Sequence, residues 1–272
     1  MDARLSRNHL VSISERPLIL SLETATRAGS VALTSGARLV ASREGDEKTS
    51  HSINLLSHIQ SVLKETGTSL SDIDLFAVAT GPGSFTGLRI GLATVKSFAA
   101  TLRRLCLGVP TLHAVAHAAG ASWRTMAMIP AGRGEVFAQL LSVDEDGATQ
   151  AVNEAAHLAP RRLLDIAKDI KSLKWAGEGA QAYAEEIMSF ARLNSIPFRT
   201  EAREGRVSLM GNEETWALAP PSSALAKAVA ALALRRFDAG EMRRPEDLRA
   251  IYVRPSDAEL KERCREQRPQ SE

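Results

Sequence analysis

The chain has 272 residues, 44% hydrophobic and 24% charged, a globular composition with material for one large or two modest domains. Its 34 basic and 32 acidic residues nearly cancel, which excludes the strongly basic footprint of an autonomous nucleic-acid binder. No apolar run approaches the roughly 20 residues that span a bilayer, and Met1 to Arg16 lack the apolar core of a signal peptide, so a cytoplasmic location is expected.

Leu18 to Glu23 is a short apolar run that reads as a buried strand. Ser30 to Thr34 and Leu39 to Arg43 follow as second and third strands of an antiparallel meander. Ser50 is placed to cap a helix whose apolar stripe is Leu55, Leu56, Ile59, Val62 and Leu63, and Gly67 ends it. Leu75 to Thr80 is a fourth strand. A helix carrying Leu88, Leu92, Val95, Ala99 and Leu102 comes next, then a fifth strand from Leu105 to Val109, stopped by Pro110. Three meandering strands followed by helix, strand, helix, strand give a mixed sheet with helices packed on it.

The pattern changes near residues 112–122, where a domain boundary is expected. Met126 to Ile129 and Glu135 to Val143 read as strands joined by a turn at Gly132–Gly134, with another turn over Asp144 to Gly147. Pro160 starts a helix over Arg161 to Ile170, Leu173 to Ala176 is a short strand, and one helix is expected from Ala180 to Leu193. Residues 194–219 read as irregular. Pro220-Pro221-Ser222 then caps an alanine-rich helix to Ala239. From Pro255 onward the chain is highly charged, and disorder is expected there. Cys106 reads as a buried thiol and Cys264 lies in the charged tail, so no disulfide between them is expected. No internal repeat is evident.

Gly81-Pro82-Gly83-Ser84-Phe85-Thr86-Gly87-Leu88-Arg89-Ile90-Gly91 joins strand to helix and admits two readings. Backbone N–H groups around Gly83 to Gly87, with Ser84 and Thr86 beside them, can cradle an anion. Alternatively, the glycines let another backbone approach closely. The Lys-Ser/Thr pair of a P-loop is absent, and no G-x-S-x-G elbow surrounds Ser84. Glu23 and Thr24 sit where nucleotide folds bring a hairpin with an acid near phosphates and metal, or else Glu23 simply caps a turn. His113 and His117, four apart, share a helix face and can supply two metal ligands, with no third identifiable. Arg89 and Arg133 are candidate exposed guanidinium groups for phosphate or carboxylate.

Four segments together resemble one known family: Leu20 to Leu33 (apolar strand, E-T-A-T, then S-V-A-L), the full Gly81–Gly91 motif, Gly132 to Phe137 (G-R-G-E-V-F) and Ile251 to Arg254 (I-Y-V-R). The chain resembles the TsaB family of tRNA threonylcarbamoyladenosine biosynthesis proteins, also called YeaZ or glycoprotease-like, over about residues 17–257. The resemblance implies an α/β, actin-like (ASKHA, ribonuclease H-like) fold with two lobes, each a mixed sheet flanked by helices. The expected organisation is an N-terminal extension (1–16), a first lobe (17–115, joined by a helix at about 222–240), a second lobe (116–219) and a charged tail (255–272).

The resemblance also implies a non-catalytic activator of the paralogous enzyme TsaD. With TsaE, these proteins install threonylcarbamoyl on the adenosine beside the anticodon of tRNAs reading codons that begin with A. The partners so implied are TsaD, TsaE and, through the complex, tRNA, with a homodimer in isolation. The interface would use His51, Leu55, Ile59, Leu88, Arg89, Leu92 and Val95. A degenerate phosphate site at Glu23, Thr24, Gly83, Ser84 and Thr86 would bind ATP or ADP weakly. TsaD holds its metal with H-x-x-x-H plus Asp, so His113 and His117 become metal candidates by analogy. The alternative function is a metal- or nucleotide-dependent enzyme of the glycoprotease-like type. Three departures stand out. Glu23 replaces the family's Asp, Pro130 to Phe137 lacks an acid, an arginine and a tyrosine hydroxyl of D-A-R-R-G-E-V-Y, and TsaB relatives generally lack the two histidines.

Overall fold

The structure, a computed structural model, describes residues 16–45, 51–201, 214–222, 224–241 and 243–254, with the backbone alone at 51–53. Residues 1–15, Ser50, the His51 side chain, Cys264 and the tail from 255 lie outside the described residues.

Three antiparallel strands open the chain: β1 (Leu18–Glu23), β2 (Ser30–Ser35) and β3 (Arg38–Glu44). Helix α1 (His51–Thr66) leads to β4 (Leu75–Ala79), α2 (Phe85–Leu102) and β5 (Leu105–Val109). The sheet order is β3-β2-β1-β4-β5, with β4 and β5 parallel to β1. Strands β1, β4 and β5 are predominantly apolar because both faces are covered, with Ser21 and Glu23 of β1 the buried polar exceptions. Leu20, Leu22, Phe76, Val78 and Cys106 point toward α1 and α2. Ile19, Leu75, Ala77, Ala79, Leu107 and Val109 point the other way, toward α7 (Leu225–Asp238). The two-residue period of the strand thus feeds two separate cores.

The second lobe repeats this plan, although the sequence shows no repeat. Its elements are β6 (Ser122–Gly132), β7 (Glu135–Val143), β8 (Thr149–Ala151), β9 (Ala156–Leu158), α4 (Pro160–Ala167), β10 (Leu173–Ala176), α5 (Glu178–Ala182), α6 (Ala184–Leu193), β11 (Phe198–Thr200) and β12 (Trp216–Leu218). The sheet runs β11-β12-β10-β6-β7-β8, with β6/β7 antiparallel and β10 and β12 parallel to β6. One face, built on Trp175, Trp216 and Met128, packs under α4, α5 and α6. The other meets α3 (Thr111–Ala119) through Leu112, Val115, Ala116 and Ala119. Helices α3 and α7 touch each other and lie between the two sheets. The layers are therefore α1/α2, first sheet, α7/α3, second sheet, α4/α5/α6.

Polar groups fasten this middle layer. Ser21 Oγ donates to Ala226 O (2.8 Å), and Ala226 N donates to Ser30 Oγ (2.9 Å), which ties the start of α7 to β1 and β2. At the end of α3, the fully buried Lys174 ammonium donates to Ala119 O (3.1 Å), the last carbonyl of the helix, and to Ala121 O (3.3 Å) just beyond it, and complements the helix dipole. Glu201 Oε2 lies 3.6 Å from the same nitrogen, an ion pair longer than a hydrogen bond. Burial pushes the Glu201 carboxyl up, while Lys174 and Arg199 pull it down.

Several sequence expectations are corrected. The helix expected over 180–193 is two, broken at Tyr183 (φ −112°, ψ 21°). The stretch expected to be irregular holds β11 and β12, three-residue parallel strands too short to leave a periodic pattern. Helix α4 stops at Ala167 rather than Ile170, and α7 starts at Leu225, three residues after Ser222. Leu56, placed in the α1 stripe, is 60% exposed. Cys106 is buried with a free thiol, as expected.

Replacing Lys174 by Ala should cost about 3–5 kcal/mol, because it strands a buried carboxyl and two backbone carbonyls. The neutral pair Lys174→Met with Glu201→Gln should recover much of this in urea unfolding.

Candidate functional site

The glycine-rich turn packs directly on the β1–β2 turn. A Cβ on Gly87 would lie 1.9 Å from Thr24 O, one on Gly91 2.3 Å from Thr24 Oγ1, and one on Gly83 2.5 Å from Ala25 O. Gly87 and Gly91, four apart on α2, form a notch that receives Thr24, whose hydroxyl donates to Gly87 O (2.7 Å). Ser84 caps α2, its Oγ accepting from Gly87 N (3.2 Å), while its own N–H donates to Ala25 O (2.8 Å). Ser84 and Thr86 are exposed. Of the two sequence readings, close backbone approach describes this turn.

Glu23 is fully buried at the end of β1. Its Oε1 accepts from Ala25 N (2.6 Å) and Thr26 N (2.8 Å), and its Oε2 accepts from the Thr26 hydroxyl (2.7 Å). Two successive N–H groups of this kind make an anion nest, and here the chain's own carboxylate fills it. Burial pushes the Glu23 pKa up, and the hydrogen bonds from Thr26 and Ala25 oppose it.

His113 and His117 lie on α3, and their imidazoles turn to the strand β8 and the turn before it. His113 Nδ1 is 2.8 Å from Thr149 Oγ1, and His117 Nδ1 is 2.7 Å from Gly147 O, so His117 donates there. Among the described residues no group of three or more His, Cys, Asp or Glu side chains could hold a metal ion. Beside His113 lies a cavity of 300 Å³ bordered by Pro110, Thr149, Leu232, Arg235 and Arg236. Burial, and then Arg236, push the His113 pKa down.

Arg133 is exposed at the tip of the β6–β7 hairpin with φ +53°, between Gly132 (φ +79°) and Gly134 (φ +77°), a two-residue turn needing left-handed backbone. Arg89 is exposed and lies over the Phe85 ring, 3.8 Å from its centroid. Leu55, Ile59, Leu88, Leu92 and Val95, expected at a partner interface, are all buried in the chain's own cores. What α1 and α2 offer outward is Leu56, Gln60, Arg89, Ala93, Ser97 and Ala100. Of these, sequence reasoning placed only Arg89 at the interface, because an amphipathic stripe marks the inward face. No helix among the described residues is long and apolar enough to cross a membrane.

Two sheets of like topology, one ordered 3-2-1-4-5, packed across shared helices define an actin-like, ribonuclease H-like protein. The family model described as "TsaD: tRNA N6-adenosine threonylcarbamoyltransferase" matches residues 46–234. The tRNA threonylcarbamoyladenosine biosynthesis protein TsaB of Escherichia coli K12 is 34% identical over 172 residues, covering 61% of this chain and 74% of that one. A tRNA N6-adenosine threonylcarbamoyltransferase of Chlamydia abortus is 29% identical over 163 residues, 60% of this chain and 41% of its own. The solved structure of YeaZ from Pseudomonas aeruginosa superimposes with a TM-score of 0.66 at 28% identity, over 87% of this chain and 99% of that one. The chain belongs to the TsaD-type group and, within it, to the TsaB (YeaZ) family.

Gly87→Ala, which in an open helix would stabilise by up to about 1 kcal/mol, should instead destabilise by about 1–3 kcal/mol in chemical unfolding, because its methyl meets Thr24. For Glu23 the folded-state pKa is raised, so the folded protein holds its proton to higher pH than the unfolded chain does. Wild type should therefore lose stability relative to Glu23→Gln as pH rises from acid to neutral, read from paired unfolding curves.

Proposed function

We propose that this chain is a non-catalytic scaffold for a TsaD-type threonylcarbamoyltransferase in forming threonylcarbamoyladenosine in tRNA. The observation that carries this reading is that Glu23, the glycines of the β4–α2 turn and the two imidazoles are all engaged within the chain. The β1–β2 nest is filled by Glu23, the glycine turn is closed against Thr24 and Ala25, and the two imidazoles are hydrogen-bonded toward β8. Its relatives' names supply the pathway, that of threonylcarbamoyladenosine biosynthesis. The glycoprotease-like alternative would have to draw its chemistry from these same groups.

In this reading the partner docks on the outer surfaces of α1 and α2, where Leu56 is 60% exposed and Ala93, Ser97 and Ala100 leave α2 thin enough for another helix to approach closely. The inward side chains Leu55, Ile59, Leu88, Leu92 and Val95 shape that surface from beneath without touching the partner. The same surface would pair two copies in isolation, and TsaE and tRNA would join through the complex. ATP or ADP, if recruited, would be held mainly by the partner.

The test is reconstitution with TsaD, TsaE and the enzyme supplying threonylcarbamoyl-AMP, with tRNA modification as the readout. Omitting this chain should abolish modification, and Leu56→Arg with Ala93→Arg should weaken TsaD binding at least about tenfold by calorimetry while leaving the fold intact. Undiminished modification without the chain would sink the proposal.

A further inference from the structure

The last described residues cross from one lobe to the other. Leu248 is buried, and Ala250 packed, in the core that α1 and α2 form on the outer face of the first sheet. Ile251 N then donates to Thr80 O (2.7 Å) at the carboxyl end of β4. Gly81, next along, has φ +109°, and a Cβ there would lie 2.5 Å from Ile251 O, so glycine is required for the segment to seat. The Tyr252 ring lies 5.3 Å from Phe85 at the first turn of α2. Val253 packs on the separate core made by α3 and the inner face of β6 and β7. Within six residues the chain therefore contacts the outer core of one lobe, the carboxyl end of its strand β4 and the inner core of the other lobe.

Open α/β sheets take ligands at the carboxyl ends of their parallel strands, and a ligand there can bridge two lobes. We propose that residues 248–253 are a latch, an intramolecular substitute for such a ligand, which holds the two lobes at a fixed angle with the cleft empty. Ile251 and Tyr252 remain 41% and 48% exposed, so the latch rests on a few contacts and can be lifted. A held angle gives the α1/α2 surface a constant relation to the second lobe. This inference does not depend on the proposed partner.

Spin labels at Ser61→Cys on α1 and Glu186→Cys on α6, in full-length Cys264→Ser protein, read the lobe-to-lobe distance. Cys106 stays unlabelled because burial pushes its thiol up to about 11. The unlatched variant is Val253→Asp. Ile251→Pro, which deletes the N–H donor to Thr80, serves as a second should the first not fold. The latched protein should give one narrow distance distribution and a protected Ile251 amide. Val253→Asp should speed exchange of that amide by about tenfold or more, and both variants should broaden the distribution. An unprotected Ile251 amide in the parent protein overturns the proposal, whatever the variants do. So does a Val253→Asp protein that keeps that amide protected, or a released segment with an unchanged distance distribution.

Discussion

Everything in this protein is arranged around two helices that have a sheet on each side. Helices α3 and α7 sit between the lobes and serve both, so they must be thin and apolar around most of their circumference. Their residues meet this demand: Ala114, Ala116 and Ala119 on α3, and Ala226, Ala228, Ala230 and Ala233 on α7, are all buried. Larger side chains would wedge the sheets apart. The amino end of α7 and the carboxyl end of α3 are buried, and groups there are met from within, by Ser21 and Ser30 at α7 and by the Lys174 ammonium at α3. An uncompensated charge in that layer would be costly, which explains why Glu201 lies close to Lys174.

The same demand for close approach explains what became of the turns. In this layout the β1–β2 turn and the β4–α2 turn face each other, and their N–H groups could in principle face a phosphate. Here the two turns pack on one another, and several of those N–H groups meet acceptors of the chain itself. Thr24 fills the notch of Gly87 and Gly91, Ala25 accepts the Ser84 N–H, and Glu23 folds back into its own turn. The glutamate side chain reaches two and three residues forward to accept hydrogen bonds from Ala25 N and Thr26 N. A fold whose layout suits ligand binding has thus been turned toward internal packing, which favours a role exercised through surfaces.

Much of the fold was legible in the sequence because it rests on local signals. β1, β4 and β5 are covered on both faces and read as short, mostly apolar runs. Gly67 and Pro110 marked element ends, and Gly132 to Gly134 marked the hairpin. What was not legible depended on distant partners. β11 and β12 exist only because each finds a parallel neighbour, and three residues cannot show a period. The break at Tyr183 divides a stretch whose apolar residues alone suggested one helix. The doubling of the lobe plan was expected only through the family resemblance and left no repeat in the residues themselves, since layer order is preserved by burial rather than by particular residues.

The sequence by itself determined the family, the strand and helix order of the first lobe through β5 and most of the inward residues of α1 and α2, because glycine spacing and apolar periodicity are written along the chain. It also named the chemistry-bearing groups: Glu23, the glycine turn, His113, His117, Arg89 and Arg133. Only the tertiary structure decided which way those groups point. The glycines could receive Thr24 only once β1 and α2 were packed side by side, while Glu23 is bonded to the turn that follows it. The direction of a hydrogen bond and the space beside a Cα depend on residues up to two hundred positions away, and no local pattern encodes that.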